Sequence, residues 1–284
     1  MALTNLEELY KKAEEGNYGL GAFNVENLTM VQAVVEAAEE LNSPVILQTT
    51  PGTIRNSGLD YMYAIVKAAA DRVNVPIVLH LDHCNDFDLA VQALRTGYTS
   101  IMIDGSHAEF DENVSITKPV VNISKPVNVS VEAELGKVIG RADALYHDTK
   151  VDHYTDPDEA RDFYEKTGVT SLAVSVGTAH GVYKGEPNIS VERVKEIHDV
   201  LDCAIVLHGT SGVPDEVVQD CIKNGVRKVN YATDLRIAFT EAVKEYLNEN
   251  PEEFDPRKYQ KVAKEKVKEE VKHLLTVVGS VGKA

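Results

Sequence analysis

Eight short apolar runs, each followed by a segment of helical period, constrain this chain more than any other feature. They are "GLGAFNV" (19–25), "PVILQTT" (44–50), "PIVLHLD" (76–82), "TSIMIDG" (99–105), "VNVSVEAEL" (127–135), "TSLAVSVGTA" (170–179), "CAIVLHG" (203–209) and "RKVNYAT" (227–233). Amphipathic stretches such as "LTMVQAVVEAAEELN", "LDYMYAIVKAAADRV" and "SVERVKEIHDVL" lie between them. A strand that is apolar without alternation is covered on both faces, as in a parallel sheet wrapped by helices. Eight such units predict one α/β domain over residues 1–284, a (β/α)8 TIM barrel. An open doubly wound sheet is the competing architecture, but no G-x-G-x-x-G follows the first run.

Two ends flank the repeat. "MALTNLEELYKKAEEG" predicts an N-terminal helix with Thr4 and Glu7 as a capping box. Residues 257–275 predict an extra C-terminal helix, with Val262, Val267, Val271 and Leu274 facing the barrel or another subunit. Residues 136–154 follow no period, and a loop that long in a compact domain is usually functional or disordered.

Charge narrows the partners. With 45 acidic against 29 basic residues the net charge is −16, which argues against nucleic acid and anionic membranes. An anionic substrate then needs local positive charge from a metal, a lysine or backbone N–H groups. Cys84, Cys203 and Cys221 show no Cys-x-x-Cys spacing, and the N-terminus lacks the pattern of a secretory signal. The expectation is a soluble, cytoplasmic protein.

The polar residues fall where a barrel places its site, at the C-terminal ends of strands. "VLHLDH" (78–83) packs His80, Asp82 and His83 into a buried strand, and burying such groups is costly unless they are paired or ligate a metal. Asn24 ends the first strand, Gln48, Thr49 and Thr50 the second, and Glu132 and Glu134 the fifth. Thr178 and His180 end the sixth, His208 the seventh, and Asn230 and Thr233 the eighth. His83, His180 and His208 thus converge from three strands, a donor set suited to zinc or a similar divalent ion. His80 is expected to make a core hydrogen bond, and Cys84 to be a small buried residue at a helix start.

"HGVYKG" (180–185), "HGTSG" (208–212) and "VNYATD" (229–234) place Gly and small hydroxyl residues between strand and helix, where backbone N–H groups bind anions. Lys184 adds a point charge. A metal and a carboxylic acid beside such a cradle suit chemistry on a phosphorylated ketone, with Asp82 moving a proton.

"AFNV" (22–25), "LHLDH" (79–83), "MIDGSH" (102–107), "EAELG" (132–136), "GTAHGVY" (177–183), "LHGTSG" (207–212), "KVNYATDL" (228–235) and "DPRKY" (255–259) resemble, in order, the metal-dependent class II ketose-bisphosphate aldolases, above all the tagatose-bisphosphate branch. The resemblance implies a zinc enzyme that splits tagatose- or fructose-1,6-bisphosphate into dihydroxyacetone phosphate and glyceraldehyde 3-phosphate. Another phosphorylated ketose or keto acid, such as 2-deoxy-5-keto-gluconate 6-phosphate, is the alternative substrate. It implies His83, His180 and His208 as zinc ligands, Glu134 as a carboxylate near the metal, and Asp82 as the acid/base at the aldehyde-side oxygen. Gly181, Gly209, Thr210, Ser211, Asn230, Tyr231, Ala232 and Thr233 are implied as phosphate binders, with Asn24 and Lys184 in support. A monovalent cation, Na+ or K+, accompanies the phosphate in this family, and a homodimer or homotetramer is expected.

One position departs from the family. Ala142 stands where a loop Glu supplies the proton-transfer group for the enediolate. The open readings are Asp143, Asp148 or His147 as substitutes, or an enzyme that is slow or tuned to another substrate; Asp143 or Asp148 is expected to supply the base. Two other functions compete. A barrel hydrolase wants a His-x-His pair on the first strand, which offers only Asn24. A non-catalytic subunit has no need of intact His83, His180, His208 and Asp82. A Schiff-base aldolase needs an inward strand-end lysine, and neither Lys184 nor Lys228 is expected to be one.

Overall fold

The computed structural model describes residues 3–136, 138, 146–147, 154–183, 185 and 187–284. Its barrel strands are β1 (Leu20–Asn24), β2 (Val45–Thr49), β3 (Ile77–Cys84), β4 (Ser100–Ile103), β5 (Ser130–Leu135), β6 (Ser171–Val174), β7 (Ala204–Leu207) and β8 (Val226–Tyr231). All pair in parallel, and the sheet closes because β1 is bonded to both β2 and β8. The expected TIM barrel is therefore the fold. Residues 175–179, expected to prolong the sixth strand, form a loop beyond Val174. A separate parallel ladder pairs Tyr146–His147 with Val182–Tyr183.

Strand alternation sorts the core into two bodies. Outward residues such as Phe23, Leu47, Leu79, Leu81, Ile101 and Val229 pack under the helices. Inward residues Leu20, Ala22, Ile46 and Val78 form a second cluster with Leu6, Leu9, Tyr10 and Ala13 of the N-terminal helix (Glu7–Gly16). That helix plugs the N-terminal end of the barrel with apolar side chains.

The expected capping box is not formed. The helix starts at Glu7 with Leu6 at the N-cap and no side-chain cap there. Thr4 instead donates its amide to Ile77 O (2.9 Å), and Asn5 Oδ1 accepts from the Glu7 amide (3.2 Å). Thr4 is tied to a strand, so it cannot fold back over the helix.

The C-terminal helix (Pro256–Val277) lies on the barrel, not away from it. Val267, Val271 and Leu274 enter the core, whereas Val262 stays partly exposed. Its outer edge is tied to the helix Leu28–Glu40 by Lys264–Glu36 (2.8 Å) and Lys272–Glu40 (2.5 Å). Among the described residues no helix is long and apolar enough to cross a membrane.

Candidate active site

Asp82 and His83 are neighbours on one strand, so simple alternation would send them to opposite faces. Both enter the barrel mouth because β3 is irregular: Leu81 pairs with Ile101, but the next pair is Cys84 with Ile103. The extra residue is a bulge, which re-aims side chains and is common beside active sites. His83 sits in it with φ +48°, and among the described residues the other three non-glycine residues in the left-handed region are all Asn. Such a conformation costs about 1–3 kcal/mol, so the surrounding structure must impose it.

Asp82 is buried between two amides. Asn24 Nδ2 donates to its Oδ2 (2.9 Å) and Asn230 Nδ2 to its Oδ1 (3.2 Å). Gln48 Nε2 in turn donates to Asn24 Oδ1 (3.0 Å), fixing the Asn24 amide. Burial alone would raise the Asp82 pKa, but the charges of His83, His208 and Lys228 outweigh it and hold it at about 2. Asp82 is therefore an ionised carboxylate with a fixed orientation.

The three expected histidines come together. The ring centroids of His83 lie 4.8 Å from His180 and 4.6 Å from His208, and one nitrogen of each ring falls within 4.8 Å of the others. His83 Nδ1 meets Asp104 Oδ2 at 3.1 Å. Burial works against charge on His83, yet Asp82, Asp104 and Glu134 raise its pKa to about 10. His180 moves the other way, well below its usual range, through burial and then the two neighbouring imidazoles. Both His180 ring nitrogens are buried without a hydrogen-bond partner. Buried polar atoms are nearly always satisfied, so these orphaned donors fit a cation. His83, Asp104 and Glu134 form a second, overlapping group of potential ligands.

Below the histidines lies a buried charged layer. His208 Nδ1 meets Glu134 Oε2 (3.1 Å) and its Nε2 meets Glu132 Oε1 (3.0 Å). Lys228 Nζ, wholly buried, donates to Glu132 Oε2 (2.8 Å). The expectation that Lys228 faces away is corrected: it alternates with outward Val229 and points into the barrel. Glu132 is held well below the usual carboxylate range, since Lys228 and His208 outweigh its burial. His80 makes the expected core bond, with Nδ1 2.7 Å from Ser100 Oγ, and burial with Lys228 nearby pushes it to about 3.

Gly181, Gly209, Thr210, Ser211, Asn230, Ala232 and Thr233 line one cleft with Asn24, Asp82, His83 and His180. The helix Thr233–Glu249 starts at this cleft, so its first amides and positive dipole end face it. Gly209 has φ +64°, and a Cβ there would lie 2.6 Å from the Ala179 backbone. Thr210 Oγ1 donates to Asn230 O, and Tyr183 Oη bridges Ala179 N and Gly209 O at 2.7 Å each. Glu134 does not line this cleft but adjoins it, bonded to His208 Nδ1 and grouped with His83 and Asp104. Tyr231 is not brought to the cleft: it follows inward Asn230 and stacks on Phe23 in the outer core (5.7 Å). Lys184, Ala142, Asp143 and Asp148 lie outside the described residues, and His147 is described only in its backbone. Asp104 and Tyr183 are site neighbours that sequence reasoning did not assign, whereas Gln48, read as a strand-end polar residue, fixes Asn24; Asp104 follows the fourth strand.

A family model described as class-II fructose-bisphosphate aldolase matches residues 4–283. The chain belongs to that family. The class-II aldolase is accordingly an enzyme of the aldehyde-lyase class. Among solved structures it is similar to the YdjI aldolase from Escherichia coli K12, at 33% identity, TM-score 0.88 and 99% coverage of both chains. A putative fructose-1,6-biphosphate aldolase from Coccidioides immitis matches at 27% identity and TM-score 0.87, over 97% of this chain and 96% of that one. Fructose-bisphosphate aldolase from Campylobacter jejuni matches at 25% and 0.85, over 100% and 97%.

Proposed function

We propose that this aldolase reversibly cleaves a ketose 1,6-bisphosphate, tagatose- or fructose-1,6-bisphosphate, to dihydroxyacetone phosphate and glyceraldehyde 3-phosphate. The observation that carries it is three converging imidazoles, with His83 and His180 lining one cleft beside an ionised Asp82, Gly209–Ser211, Asn230, Ala232 and Thr233. His83, His180 and His208 would hold zinc, whose chemistry when bound is to polarise the substrate ketone and stabilise the negative charge developing on it. Glu132 is clamped by Lys228 and Glu134 is not, so His208 keeps its Nε2 contact and offers Nδ1 at the expense of Glu134.

In cleavage the C3–C4 bond breaks. Asp82, already ionised, takes the proton of the C4 hydroxyl as that oxygen becomes the aldehyde carbonyl, and Asn24 and Asn230 hold it in place. The electron pair passes to C3 and the enediolate, and C3 then receives a proton from a group we assign to Asp143 or Asp148. Lys184 and a monovalent Na+ or K+ ion complete the phosphate site in this reading. A Schiff-base route is not favoured, because Lys228 is wholly buried and ion-paired.

The test is a panel of ketose phosphates, including a keto-acid phosphate, with dihydroxyacetone phosphate release coupled to NADH oxidation. Metal-stripped protein should be inactive and recover with zinc. Activity that survives stripping and is trapped by borohydride would refute the reading. Wild-type turnover in both Asp143→Ala and Asp148→Ala would reject those two as the second proton carrier.

A further inference from the structure

We propose that Tyr183 is a positioning residue that clasps the His180 loop to the His208 loop; this rests on the metal reading above. Its hydroxyl donates to Gly209 O and accepts from Ala179 N, each at 2.7 Å. Ala179 directly precedes His180, and Gly209 directly follows His208. One oxygen atom therefore sets the separation of two candidate ligands that come from different strands and share no other described hydrogen bond.

Three further observations make the clasp tight. The loops are already in contact, since the space where Gly209 would carry a Cβ is filled by the Ala179 backbone at 2.6 Å. A shift in one loop is thus passed to the other. Among the described residues His180 has no hydrogen bond on either ring nitrogen, so its ring is held by packing against His83 and by its backbone alone. Finally, the backbone of Tyr183 is in register with His147 in the short parallel ladder, which ties its main chain. Burial pushes the phenol up to about 12, so it stays a neutral donor across the working pH range.

Substituting Phe removes the oxygen and keeps the ring. The experiment compares wild type, Tyr183→Phe and Tyr98→Phe, each stripped of metal, then titrated with zinc against a chelating dye and melted with and without zinc. Tyr98 is the control: it too loses a buried hydroxyl contact, to Thr49 Oγ1 (2.9 Å), which lies on β2 and in neither loop. The expected result is zinc affinity about 10–100-fold weaker in Tyr183→Phe, the range for groups that orient metal ligands, with a smaller zinc-induced rise in melting temperature. Tyr98→Phe should melt lower without metal and bind zinc within about two-fold of wild type. Melting of the metal-free Tyr183→Phe protein shows whether it is folded, and a folded variant that binds zinc within about two-fold of wild type overturns the clasp. Absence of zinc binding by wild type would instead overturn the metal reading itself, and the two failures are told apart by which protein shows them.

Discussion

The two ends of this barrel are built from the same eight strands and have opposite chemistry. At the N-terminal end Leu20, Ile46 and Val78 meet Leu6, Leu9 and Ala13, and the barrel is sealed by dispersion and hydrophobic burial. Two residues further along the strands, Lys228 and Glu132 form a buried ion pair beside the neutral His80, and above them lie Asn24, Asp82 and the histidines. Polarity rises along the axis in steps of one strand period. The apolar end can keep its shape alone, whereas each group at the other end depends on a partner.

That contrast can be broken by mutation, and the largest effect is expected at the mouth. Asp82→Asn keeps the shape but cannot take a proton, so kcat for cleavage should fall by ~10^2–10^4 while zinc per chain is unchanged. Loss of zinc from this variant would show that Asp82 serves the metal and not the proton. Next comes the charged layer. Lys228→Met leaves Glu132 buried without its counter-charge and should cost about 3–5 kcal/mol in urea unfolding; adding Glu132→Gln should return most of it. If the double variant is no more stable than the single, the pair is not a coupled unit.

At the plug, Leu9→Ala should cost about 2–3 kcal/mol from lost burial and an incompletely filled cavity. Zinc affinity should stay at the wild-type value; a change there would mean that the ends are coupled. The smallest effect is one of pH. In the metal-free protein Asp82 and Asp104 keep His83 protonated up to about 10, and a metal needs the neutral ring. Uptake therefore displaces a proton below that pH, and zinc affinity should climb about tenfold from pH 7 to 8. A flat profile would show that His83 is not a ligand.

Much of this was legible because the period of a strand is regular. The apolar runs give the barrel, and strand-end polar residues give Asn24, Asp82, His83, His180, His208 and Asn230. What was not legible depends on departures from that period or on distance in the chain. No composition rule announces the bulge that turns His83 inward beside Asp82. Lys228 was not expected to point inward, and its inward role shows only with its partner Glu132, three strands away around the barrel. Tyr231 was drawn into the phosphate site by its neighbours in the motif, although alternation from Asn230 already sends it outward. Thr4 matched a capping pattern, but pairing with Ile77 claimed its backbone first.

The left-handed backbone at position 83 also bears on what this barrel can become. Few side chains tolerate that conformation; glycine does, and Asn, Asp and His are several-fold enriched there. Of these only His and Asp are strong metal donors, so an exchange at this proposed ligand position has a short path to an oxygen donor. Routes to Cys or Glu would first have to remake the bulge. Under the proposed ligand role, the local twist of one strand thereby narrows which metals descendants of this enzyme would recruit.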